Sequence, residues 1–96
     1  KFYILATRMG SGTDTVDIEL FVNSGQSYSS VMFPVNIHAQ ASKLAIGTER
    51  DATNHPGSES FDGEIARILI YETPLTEEEF AGTITYLASR YNITVE

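Results

Sequence analysis

Apolar and polar side chains alternate most regularly between residues 16 and 22. Val16, Ile18, Leu20 and Val22 fall on one face, and Asp17, Glu19 and Phe21 on the other. A period of two predicts an antiparallel strand with one buried face and one polar face. Residues 2–9, which open Phe-Tyr-Ile-Leu, predict an earlier strand. Gly10, Ser11, Gly12, Thr13 and Asp14 supply turn chemistry suited to a hairpin between the two. Asn23, Ser24, Gly25 and Gln26 turn the chain again. Residues 30–33 predict a third strand cut by Pro34, with residues 35–39 continuing it after a bend, and residues 43–48 predict a fourth. Residues 49–60 are mostly polar and read as a loop.

The chain is organised around residues 61–92. Ala66, Ile68 and Ile70 share one face of an extended stretch, and Ile65, Leu69 and Tyr71 the other. With both faces apolar, this stretch predicts a strand inside a sheet covered on both sides, and Pro74 marks its exit. A helix follows. Thr76 is a good first cap, and Glu79, three residues on, completes a capping box. Leu75 and Phe80 stand at the spacing of a hydrophobic staple. Glu77, Glu78 and Glu79 suit the positive end of the helix dipole. Phe80, Ile84, Leu87 and Tyr91 then recur at helical spacing, which places the helix from Glu77 to about Tyr91. Asn92 suits the left-handed turn that ends it, with Ile93 folding back on the last turn.

These residues resemble a family. Gly63, Ile65, Ala66, Tyr71, Leu75, Tyr86, Leu87 and Tyr91 fall where the C-terminal end of a laminin G-like domain, in the concanavalin A-like lectin/glucanase superfamily, carries its Gly-x-Ile-Ala strand, its tyrosine, the leucine before an acidic helix and a closing Tyr-Leu and Tyr. The match covers about a third of the chain closely. It extends more loosely over residues 18–25, similar to a strand ending in Val-Asn-Gly but with Ser24 inserted, and over residues 44–47, similar to a Leu-x-Ile-Gly strand. The resemblance implies a mainly β fold, an antiparallel jelly-roll sandwich with one C-terminal α-helix. It implies no single activity, because one fold carries many functions. Domains of the family are usually longer. The expectation is therefore one domain over residues 1–96, the C-terminal part of a larger laminin G-like sandwich. Its remaining strands would come from the parent domain or an associated chain.

Charge narrows the partners. Six basic against thirteen acidic side chains give a net charge of −7. Such a surface repels phosphate backbones, which argues against nucleic acid as a partner. No apolar run is long enough to cross a bilayer as a helix. The chain has no cysteine, which removes disulfides, thiolate chemistry and cysteine zinc sites.

The polar loop is the best place for a site, since long loops are often functional. Glu49, Asp51, Asn54 and Glu59 offer oxygen ligands there, with His55 and Asp62 as neighbours. Calcium takes several such oxygens in flexible geometry, and Asp51, Asn54 and Glu59 are the expected metal ligands if an ion is bound. The other reading is a solvated connection. A second constellation is the pair Asp17 and Glu19, two apart on one strand face, because the superfamily includes glucanases. A retaining glycosidase needs two carboxyls about 5 Å apart. Thr15 stands where the family's first glutamate would be, and no tryptophan is present to stack on a sugar. The pair therefore reads as a solvent-facing acidic stripe, and no catalytic residue is expected. Asn92-Ile93-Thr94 has the form of a glycosylation sequon, with Asn92 read first as a helix cap.

The function expected is a non-catalytic, lectin-like binding or adhesion module, for a glycan or protein ligand, of an extracellular or cell-envelope protein. The alternatives are a structural or assembly subunit, or the C-terminal part of a glycoside hydrolase.

Overall fold

The structure, a computed structural model, describes residues 1–41, 44, 46–47 and 61–96. They fall into two compact units, Lys1–Ile37 with Tyr71–Glu96, and His38–Ile70. The first unit holds strands β1 (Leu5–Met9), β2 (Thr15–Val22) and β3 (Ser29–Pro34) and helix α1 (Glu77–Tyr91). The strands form one antiparallel sheet in the order β1-β2-β3.

Helix α1 starts and stops where local chemistry dictates. The Glu79 N–H donates to Thr76 Oγ1 at 3.1 Å and the Thr76 N–H donates to Glu79 Oε1 at 3.0 Å, closing the capping box. Asn92 ends the helix in the left-handed region, φ 55° and ψ 51°. The Ile93 N–H then donates back to the Ala88 carbonyl at 2.8 Å. Phe80, Ile84 and Ala88 form the buried stripe. Leu87 lies on its flank, and Tyr91 stands edge-on to Phe2 at 5.9 Å between centroids.

The core lies between α1 and the β1–β2 half of the sheet. Phe21, 1% exposed, meets Phe80 with ring centroids 4.3 Å apart. Ile4, Ile84 and Ala88 complete the cluster, with Ala6, Leu75, Leu87 and Ile93 packed around it. This reverses the expected orientation of β2. The face that meets the helix is that of Phe21 and Glu19, aligned with Ala6 and Arg8 on β1. The more apolar face, which includes Leu20, is turned away, and Leu20 is exposed. Alternation says which residues share a face but not which face a helix covers. Here Arg8 and Glu19 on the covered face neutralise each other, while Asp17 on the same face of β2 is exposed. Val16 on the opposite face is buried locally; a Cβ at Gly12 would stand 3.2 Å from its Cγ1, so the hairpin loop closes over it.

Three expectations about strands need correction. Residues 35–39 carry no strand. Of residues 43–48, Leu44, Ile46 and Gly47 are described and none is in a strand; the others lie outside the described residues. Residues 61–71, expected as a strand covered on both sides, are described throughout and form none. Ile65, Ile68, Leu69, Ile70 and Tyr71 are all exposed. A stretch with two apolar faces becomes a strand only when a neighbouring backbone satisfies its N–H and C=O groups, and no ladder with described residues does so. Within the second unit the Phe61 N–H donates to the Gly47 carbonyl at 2.8 Å. The Phe61 ring lies so close over Gly63 that a Cβ there would come within 2.8 Å of it.

Asn23 fastens the end of β2. Its N–H donates to the Ile4 carbonyl at 2.9 Å, its side-chain oxygen accepts the Ile4 N–H at 2.8 Å, and its carbonyl accepts the Glu96 N–H at 2.8 Å. Its φ is +51°, a region asparagine tolerates better than alanine. Asn23→Ala is expected to cost about 1–2 kcal/mol, from one lost acceptor and the left-handed strain. Asn23→Gly should cost less, because it loses the acceptor and keeps the turn. Urea denaturation of the three proteins gives this order directly, and equal midpoints would rule the bond out as a source of stability.

Candidate functional site

The expected ligand set, Glu49, Asp51, Asn54, His55 and Glu59, lies outside the described residues. Its neighbour Asp62 is described and exposed. Among the described residues no group of three or more His, Cys, Asp or Glu is placed to hold a metal ion.

The acidic pair on β2 does not behave as a stripe. Asp17 is exposed, whereas Glu19 is half-buried and paired with Arg8. Arg8 Nε donates to Glu19 Oε1 at 3.0 Å, and its Nη2 stands 2.9 Å from the same oxygen. Nη2 also donates to Glu77 Oε1 at 2.6 Å, and Nη1 to the Leu75 carbonyl at 3.3 Å. The guanidinium carbon lies 5.4 Å from the ring centroids of both Phe21 and Phe80. The Glu77 carboxylate foremost, and that of Glu19 after it, hold Arg8 above its ordinary range against the opposing effect of burial. One side chain thus ties β1, β2 and the start of α1 together. A carboxylate so engaged is occupied in structure.

Sequence reasoning missed Arg8 and could have found it only through register. Arg8 stands directly opposite Glu19 in the β1–β2 ladder. Opposite charges so placed attract, but the register is a property of the hairpin rather than of either strand.

Two further surfaces stand out among the described residues. The sheet face opposite α1 presents Leu5, Met9, Leu20, Val31 and Phe33, all exposed. The strand positions on that face also include Thr7, Val16, Ile18, Val22 and Ser29, and none is charged. The second is a hollow of about 420 Å³ beside the end of α1, lined among others by Phe2, Asn23, Tyr91, Asn92 and Thr94. Its lining mixes apolar rings with polar tips and also includes Lys1 and Glu96. No described helix is long and apolar enough to cross a membrane.

No family model matches the chain, and neither the curated proteins nor the solved structures contain a significant match to it.

Proposed function

We propose that the chain is a non-catalytic binding or adhesion module, for a glycan or protein ligand, of an extracellular or cell-envelope protein. Its three strands would form part of one layer of a laminin G-like, concanavalin A-like jelly-roll sandwich. The observation that carries this reading is the uncharged outer face of the sheet. Leu5, Met9, Val31 and Phe33 are each more than half exposed there. Contiguous exposed apolar faces mark surfaces for contact when they exceed a few hundred Å². A second sheet packs on such a face at about 10 Å. The ligand would then be taken by the polar stretch that carries Glu49, Asp51, Asn54, His55 and Glu59. The glycoside hydrolase reading draws no support from Glu19, whose Oε1 is held by Arg8. The assembly reading draws on the same apolar face.

A glycan array probed with the purified chain and with Phe33→Asp separates the two. A module that takes sugar through that stretch retains the same glycans in both proteins. Retention of no glycan by the wild type would withdraw the lectin-like reading and leave the face as an assembly surface.

A further inference from the structure

We infer that Asn92 is an acceptor site for N-linked glycan. The inference rests on the extracellular reading above, since it needs passage through a secretory route that glycosylates.

Asn92-Ile93-Thr94 is the sole Asn-x-Ser/Thr triplet in the chain. Asn23, Asn36 and Asn54 are followed two residues later by glycine, histidine and proline. A glycosylated sequon must lie at the surface of the folded chain, where a bulky hydrated group has room. The end of α1 places it there with the helix cap intact. The helix is capped by backbone: the Asn92 N–H and the Ile93 N–H both donate to the Ala88 carbonyl. Capping therefore rests on the left-handed φ of Asn92 and does not use its side chain. The Asn92 amide makes no hydrogen bond with any described residue. Ile93, between the two sequon residues, packs against the core cluster. Its flanking residues Asn92 and Thr94 are both exposed. The αL turn thus presents the amide and the hydroxyl to solvent on either side of a fixed apolar anchor. The cap and the acceptor are compatible roles of one residue, because one uses the backbone and the other the side chain.

The donor required is a lipid-pyrophosphate-linked oligosaccharide, delivered by a membrane oligosaccharyl transferase. The bond formed joins Asn92 Nδ2 to sugar C1. The bond broken joins C1 to the pyrophosphate oxygen, which leaves with the electron pair, and Nδ2 gives up one proton. The chain itself is neither oxidised nor reduced. The product adds a bulky, hydrated group at the end of α1.

The test expresses the 96-residue chain behind a cleavable signal peptide in a eukaryotic secretory cell. The lumenal membrane fraction is analysed, so that the result does not depend on export to the medium. Wild type is compared with Thr94→Ser, Thr94→Ala and Asn92→Gly; glycine keeps the left-handed turn without an acceptor. Wild type and T94S are expected to show a mass increment removed by peptide N-glycosidase, with a carboxylate left at position 92 on peptide mapping. T94A and N92G are expected to carry no glycan. A wild-type chain in the lumenal fraction without glycan at Asn92 overturns the inference, and so does an increment that persists in N92G. The outcome is separable from that of the glycan array. An occupied Asn92 on a chain that binds no glycan keeps this site and drops the lectin-like reading. A bare chain that binds does the reverse.

Discussion

Replacing Phe80 by alanine is expected to lower the unfolding free energy by about 3–5 kcal/mol. Phe80 is 6% exposed and packs on Phe21, which is 1% exposed, with centroids 4.3 Å apart. The loss has three parts. The ring's transfer from water is forfeited, the ring pair adds about 0.5–1.5 kcal/mol beyond area, and a void opens beside Phe21. That void cannot collapse easily, because Phe21 is held in β2 opposite Ala6 of β1. Among the described residues, the buried members of the core cluster are Ile4, Phe21, Phe80, Ile84 and Ala88. Domains of this length have stabilities on the order of 5–10 kcal/mol, so one substitution removes a large share. Urea denaturation followed by circular dichroism measures it. Phe80→Leu should cost far less, because it keeps most of the volume. A loss below about 1 kcal/mol for F80A would mean that α1 does not dock on Phe21.

The parts of this architecture that were legible in the sequence are the local ones. The capping box of Thr76 and Glu79, the left-handed Asn92 and the return of Ile93 each involve residues within a few positions, and the helix runs over the expected Glu77–Tyr91. The hairpin strands were legible for the same reason, with β1 shorter than expected at Leu5–Met9. What could not be read was decided between elements. The face of β2 that is buried depends on where α1 docks, and Phe21 looked like a lone ring on a polar face until Arg8 and Glu19 paired beside it. Arg8 reaches Glu77 across 69 positions of sequence, a separation that no pattern signals. Residues 61–71 illustrate the opposite failure. Their alternation on two apolar faces is a strong strand signal, but a strand exists through its neighbours, and no ladder with described residues pairs it. Of the candidate site, composition alone was legible: the oxygen-rich loop from Glu49 to Glu59 states which ligands are available but not where they converge.

Arg8→Ala is expected to cost about 2–3 kcal/mol, from charge-assisted hydrogen bonds and lost packing together. The guanidinium bridges two carboxylates, but they do not count equally. Glu77 has 81% of its side chain exposed, so its pairing contributes under about 1 kcal/mol despite the 2.6 Å contact. Glu19 is 27% exposed and shares the covered face with Phe21, so removal of Arg8 leaves a half-buried carboxylate without its partner. The guanidinium also lies over the rings of Phe21 and Phe80, 5.4 Å from each centroid, and alanine uncovers both. Three comparisons separate these contributions. Glu77→Gln should change stability by less than about 1 kcal/mol. Arg8→Lys keeps the charge but loses the fork that reaches Glu19, Glu77 and the Leu75 carbonyl together, so it should fall between wild type and R8A. Repeating the R8A measurement at high salt should leave most of its cost in place, because screening weakens exposed pairs far more than covered ones. Chemical denaturation of the set gives the order E77Q, R8K, R8A from least to most destabilised. If R8A cost no more than E77Q, Arg8 would be a surface ion pair, and the joint between the sheet and α1 would rest on Phe21 and Phe80 alone.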